Sequence, residues 1–198
     1  MRLAETAHTS HPWRIHELAP DFRLEDVWAL PTPGAREDFP QLVKQFASSD
    51  PSRSLPGVAR ALWSFRIGLG DLLGWDDAAH PAVALRDRLP QDLREAPTGP
   101  SFDSLPFTSL YMLEDEWAGE AANRTLHGVL HLGWVRDPDC GYRGQMAVLV
   151  KPNGGLGTAY MTAIRPFRHL IVYPALMQQI ARAWQRTRRS ASPEGVSA

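Results

Sequence analysis

Cysteine occurs once in the 198 residues, at Cys140, so no internal disulfide can form. That fits a reducing compartment. No apolar run approaches the roughly 18 residues of a membrane span. Residues 1–12 are polar, with His8 and His11, and lack the apolar core of a signal peptide. From these absences a cytoplasmic location without stable membrane insertion is expected. Lysine is nearly missing too, confined to Lys44 and Lys151, and the net charge is only -1. A nucleic-acid binder of this size would be clearly basic, so that class is set aside. No Gly-x-Ser-x-Gly elbow supplies a nucleophile, and no cysteine pair or His-Glu motif supplies a metal site.

What is present is ordinary globular composition, 43% hydrophobic and 22% charged, in a length that suits one domain. Residues 1–12 read as a flexible arm, 13–189 as a single domain and 190–198 as a disordered tail. Trp13–Leu18 shows partial alternation and is expected to be a first strand. Arg36–Ser48 carries Phe39, Leu42, Val43 and Phe46 at helical spacing, and Gly57–Trp75 carries Val58, Leu62, Phe65 and Leu69 likewise. Pro81, Pro90, Pro97, Gly99, Pro100 and Pro106 make residues 76–105 irregular, with one short strand expected around Ala82–Leu85. Strands are expected at Phe107–Leu113, Trp117–Ala121, Thr125–Val135 and Tyr142–Lys151, the last two joined by the turn Asp137-Pro-Asp-Cys-Gly141. A long helix closes the pattern, from about Leu156 to Arg188. One helix covering an antiparallel sheet gives an α+β helix-grip architecture, a curved sheet wrapped around the C-terminal helix with a cavity between them.

That helix opens on Gly154-Gly-Leu-Gly157. A dinucleotide fingerprint would need a third glycine where Tyr160 stands, and an acidic residue about 20 positions on. There is no Asp or Glu from Leu156 to Pro193, and no Gly-Lys-Ser/Thr for a phosphate loop. The glycines therefore read as a tight strand-to-helix turn, and no cofactor is expected. Pro166 and Pro174 cannot donate to the carbonyls four residues back and should kink or end the helix. The helix is basic, with Arg165, Arg168, Arg182, Arg186, Arg188 and Arg189. This reads as a solvated face, with anionic lipid as the alternative contact.

His127 and His131 are the chemical candidates. Four apart on a strand, they share a face with Val129. A tight hairpin centred on Pro138-Asp139 would set His131 opposite Met146 and His127 opposite Val150, with Tyr142 on the same face. A one-residue change of register would undo this. Two histidines on the covered side of the sheet, beside Tyr142, would form an acid–base site; otherwise they are satisfied core histidines. About 13 Å separates i and i+4 along a strand, too far to share one metal ion. Glu114-Asp-Glu116 reads as a solvated strand end, and Cys140 as incidental.

Two segments carry a family likeness: Leu156-Gly-Thr-Ala-Tyr-Met-Thr-Ala-Ile-Arg-Pro-Phe-Arg-His-Leu-Ile-Val, and Ala61-Leu-Trp-Ser-Phe-Arg-Ile-Gly-Leu-Gly-Asp-Leu-Leu-Gly74. They resemble the domain-of-unknown-function 2867 family over about residues 57–185. That family is similar to the wider START, Bet v 1 and polyketide cyclase superfamily (SRPBCC). Its members occur alone or behind NAD-dependent epimerase-like domains. Pro166-Phe-Arg-His169 departs from the frequent Pro-Phe-His, and Leu126–Trp134 differs from the usual strand. The resemblance implies the helix-grip fold and a pocket for an apolar small molecule; it supplies no catalytic residues.

The expected function is binding, and acid–base transformation of a cyclase, dehydratase or isomerase type, of a hydrophobic small molecule such as a polyketide-like metabolite. His131 and His127 would be the acid–base groups and Tyr142 would orient a substrate oxygen. Trp63, Arg66, Tyr111, Trp134, Met146, Tyr160, Ile164 and Phe167 would line the pocket. The rival readings are a non-catalytic lipid or metabolite carrier, and an interaction module for an epimerase-like or membrane partner. Oligomeric state is open, a homodimer being one option.

Overall fold

A computed structural model describes residues 1–49, 84–102, 107–122, 126–152 and 168–191. In chain order the elements are α1 (Thr6–Thr9), α2 (Ile15–Leu18), β1 (Arg23–Ala29), and a 3-10 turn (Arg36–Asp38) leading into α3 (Phe39–Ala47). A second 3-10 turn (Leu85–Arg88) precedes α4 (Gln91–Glu95). Then come β2 (Thr108–Met112), β3 (Glu116–Ala122), β4 (Leu126–Asp137) and β5 (Gly141–Pro152). A π-helical turn (Arg168–Val172) runs into the C-terminal helix α5 (Tyr173–Ala191). The five strands form one sheet in the order β1-β5-β4-β3-β2, every pair antiparallel. This is an α+β protein. No helix among the described residues is long and apolar enough to cross a membrane.

The sheet is covered on both faces. Even-numbered β4 residues Leu130, Leu132 and Trp134 face a core that holds Trp28, Met146, Trp117, α3 (Phe39, Leu42, Val43, Phe46) and α5 (Tyr173, Ile180, Trp184). Tyr173, Ile180 and Trp184 recur at helical spacing, so one stripe of α5 is apolar. Arg182, Arg186 and Arg189 of the same helix are exposed. The opposite face, carrying Val129, Ala147 and Leu149, is packed by Trp13, Ile15, Leu18, Leu85, Leu89 and Leu93.

The first strand is therefore not Trp13–Leu18. That stretch is a helical turn, because its apolar side chains all turn to the sheet and its leading amides find a carboxylate. The strand is Arg23–Ala29, whose alternation is hidden by three charged residues and by a bulge between Leu24 and Asp26. Residues 1–12 are not a loose arm either. Leu3 N donates to Val27 O at 2.8 Å and Ala29 N to Met1 O at 2.8 Å, so the segment closes the free edge of β1. Leu85 opens a 3-10 turn rather than ending a strand, while residues 82–83 of that expectation lie outside the described residues, as do Gly57–Trp75 and 156–167. Pro174 stands at the second position of α5, just after the π-helical turn. A residue without an N–H cannot complete the α-helical bond to Leu170, and the backbone widens there.

The β4–β5 turn moves the register by one residue from the expected one. Asp137 pairs with Gly141, leaving a three-residue loop. The Asp139 amide donates to Asp137 Oδ1 at 3.1 Å, and Gly141 takes φ of 82°, which a side chain would resist. His131 consequently lies opposite Ala147, Val129 opposite Leu149 and His127 opposite Lys151. Tyr142 pairs with Arg136 and falls on the α5 side, away from both histidines.

Gly144 marks the closest approach to the helical layer: a Cβ there would sit 2.7 Å from Leu42 Cδ2 and 2.9 Å from Leu30 Cδ1. Gly144→Ala is expected to destabilise the fold by about 1–3 kcal/mol through overpacking, lowering Tm in a thermal melt by several degrees. An unchanged Tm would show that α3 does not press on β5 at this point.

Candidate functional site

On the face away from α5, β3 and β4 each contribute two polar residues four apart. Glu116 and Glu120 come from β3, His131 and His127 from β4. Glu116 is 2% exposed and His131 is fully buried. Glu116 Oε1 accepts from the Ile15 amide (3.0 Å) and the Tyr111 hydroxyl (2.6 Å), and Oε2 accepts from the Arg14 amide (2.9 Å). These amides open α2, whose first-turn donors have no partner within the helix. His131 Nε2 lies 3.1 Å from Glu116 Oε1, and His131 Nδ1 lies 3.1 Å from His8 Nε2. Glu120 repeats the design. It accepts from the Leu85 amide at 2.9 Å and lies 2.9 Å from His127 Nε2.

An ionised carboxylate only accepts. With His131 neutral, its Nε2 carries the hydrogen toward Glu116 and its Nδ1 is an acceptor. His8 then donates through Nε2, and its buried Nδ1 is a lone pair that no donor among the described residues faces. Burial by itself would push the Glu116 carboxyl up. The hydrogen bonds from His131, Tyr111 and the Arg14 amide outweigh it and hold the group below the ordinary glutamate range. Glu120 is held down in the same way, chiefly by His127 against burial. Burial, then the neighbouring Glu116 charge, pushes the Tyr111 phenol up. Burial, reinforced by His131, His16 and His11, holds His8 down at about 2. Both ring nitrogens of His131 are engaged, so this cluster fastens the N-terminal segment to the sheet. Among the described residues no group of three His, Cys, Asp or Glu side chains could hold a metal ion.

A second constellation lies on the α5 side. Asp26 and Trp28, two apart on β1, share that face; His169 and Tyr173, four apart, meet them from the C-terminal helical segment. The Asp26 side chain is wholly buried and accepts from the Tyr173 hydroxyl at 3.0 Å. His169 Nε2 lies 2.7 Å from Asp26 Oδ1, in ion-pair contact but off the line of a hydrogen bond. Arg2 Nε is 3.7 Å from the same oxygen. The Tyr173 ring packs on Trp28 with centroids 4.6 Å apart. His169 keeps 19% of its side chain exposed, so a fixed carboxylate here backs an imidazole that solvent reaches.

The expected site residues are thus divided between two faces. His127, His131 and Tyr111 share one; Trp134, Met146 and Tyr142 share the other. Trp134 and Tyr142 meet at a cleft of about 820 Å³ that also takes in Arg36, Arg136, Glu114 and His11. Trp63, Arg66, Tyr160, Ile164 and Phe167 lie outside the described residues. Reasoning from sequence missed Asp26, Trp28, His169, Tyr173 and the anchoring role of Glu116. The i, i+4 spacing of His169 and Tyr173 was the available signal. For Glu116 the adjoining Glu114 and Asp115 hid it, since only Glu116 turns inward.

The Glu116 cluster sets an acid limit on stability. His8 binds its proton more weakly folded than unfolded, so stability is full above about pH 6.5 and falls as pH drops below it. The slope is about 1.4 kcal/mol per pH unit for one proton. The depressed Glu116 and Glu120 add further loss below the ordinary glutamate range. In urea titrations His8→Gln should flatten the slope between pH 6.5 and 5. At neutral pH Glu116→Gln should cost about 2–4 kcal/mol, against almost nothing for exposed Glu114→Gln. A flat profile in the parent protein would contradict the buried neutral His8.

No curated protein and no solved structure matches the chain. A family model described as "Protein of unknown function (DUF2867)" matches residues 18–175, beginning well before the two segments that first carried the likeness. The match takes in Asp26, Trp28, His169 and Tyr173, and both Glu–His pairs, but leaves His8 outside. It spans more than half of the chain, which therefore belongs to this family of proteins of unknown function.

Proposed function

We propose that the chain binds an apolar small molecule between its sheet and C-terminal helix, in a helix-grip arrangement, and transforms it by acid–base chemistry. The observation that carries this is the cluster of Asp26, His169, Tyr173 and Trp28. It puts a buried carboxylate and a partly exposed imidazole against an otherwise apolar face of Leu130, Leu132, Met146 and Tyr173. His169 would take a proton from the ligand and return it at a neighbouring atom, and the Asp26 charge would stabilise the imidazolium formed between the two steps. The Tyr173 hydroxyl holds Asp26 in place through its other oxygen. This assigns the chemistry to the side of the sheet opposite His131 and His127. It matches a cofactor-independent isomerase or lyase, and a polyketide-like metabolite is one substrate of suitable apolar character.

Native mass spectrometry of the purified protein should reveal a bound apolar small molecule. With that molecule as substrate, His169→Gln should lower kcat by about 100-fold or more with little change in Tm. A protein that carries no ligand, or a variant that turns over like the parent, would overturn the reading.

A further inference from the structure

Five tryptophans lie among the described residues, and their indole N–H groups divide sharply. Trp117 Nε1 donates to Ser109 Oγ at 3.2 Å, Trp134 Nε1 to Ala35 O at 3.0 Å, and Trp184 Nε1 to Pro33 O at 2.9 Å. All three belong to the core on the α5 side of the sheet. Trp28 belongs to the same core and is 9% exposed, yet its Nε1 is buried without an acceptor among the described residues. The other unpartnered indole, Trp13, sits on the opposite face beside His8 and His131. A buried donor left unmade is costly, and native folds seldom keep one without use. Of the two, Trp28 stands two residues from Asp26, its ring tilted against Tyr173 and 6.4 Å from that of His169.

We infer that Trp28 Nε1 is a specificity-determining donor, which receives a carbonyl oxygen of the ligand while His169 handles a proton beside it. The inference rests on the helix-covered face being a ligand site. The geometry selects an apolar body that carries one acceptor oxygen. A rigid neutral N–H can satisfy a carbonyl and offers nothing to a hydrocarbon. It also grows in value as negative charge develops on that oxygen, which is what loss of a proton from the adjacent carbon produces. The proton goes to the His169 imidazole, the electron pair of the broken C–H bond moves into the new C–C double bond, and the carbonyl oxygen takes the charge facing Trp28. Return of the proton from His169 to a carbon of the enolate completes an isomerisation with no oxidant, reductant or other reactant.

A matched pair of probes tests this: 2-acetylnaphthalene, and 2-isopropenylnaphthalene, which replaces C=O by C=CH₂ at nearly the same shape. Isothermal titration should show the ketone bound about tenfold tighter than the alkene, the worth of one buried hydrogen bond. Trp28→Phe should erase that preference while alkene affinity stays. In the parent protein the Trp28 indole proton should also move downfield on ketone binding and stay put with the alkene, a readout that needs no variant. Equal affinities, or a preference that survives Trp28→Phe, would overturn the donor role and leave the ligand site standing. Binding of neither probe up to the solubility limit would remove the ligand site and the donor role together.

Discussion

Two carboxylates on β3 govern how this chain closes on itself. Glu116 and Glu120 point to the same face of the sheet, and each takes backbone amides from a segment that lies over it. Glu116 holds the start of α2, and Glu120 the start of the Leu85–Arg88 turn. Each is also met by a histidine from β4, four residues apart in the opposite direction. A buried charge is tolerated only when its lone pairs are filled, and here several donors converge on each. The carboxylates thereby fix where the covering layer sits. Remove the charge and the amides of α2 lose the acceptor that α2 itself cannot provide.

That constraint makes the sheet two-sided. With residues 1–19 and 84–95 fastened on one face and α3 and α5 on the other, β4 and β5 have no solvated side. Met146-Ala-Val-Leu-Val150 is accordingly an unbroken apolar run, as strands buried on both faces tend to be. The faces then differ in character. On the anchored face Glu116, Glu120 and His131 are met by several partners each, while His8 Nδ1 and Trp13 Nε1 find none among the described residues. On the α5 face Asp26, Trp28, His169 and Tyr173 gather where the imidazole is partly exposed and the indole has no acceptor among the described residues. His131 uses both ring nitrogens in hydrogen bonds, whereas His169 meets Asp26 in ion-pair contact and keeps part of its ring exposed. The distinction rests on hydrogen-bond inventory.

Much of the sheet was legible because period-2 patterning and turn residues act locally. β2 to β5 fall where alternation and the Asp137–Gly141 turn place them. The histidines were visible as a pair on one face, but the face depended on a single residue of register. That residue is set by Gly141 adopting a left-handed conformation and by Asp137 holding the Asp139 amide, features that composition only hints at. β1 escaped because a bulge and charged side chains interrupt its alternation. Trp13–Leu18 misled because its folding is decided by Glu116, about 100 residues away in sequence. Asp26 meeting Tyr173 is longer in range still, and no local pattern could announce it.

The ionisation of Glu116 is the most direct measure of this account. A titration followed by the ¹³C signal of its side-chain carboxyl would report that group alone. If four donors hold a buried anion against the sheet, Glu116 should titrate below the ordinary glutamate value of about 4.3. A midpoint at or above that value would mean burial outweighs the donors. The carboxylate could not then be the anchor on which the covering layer depends.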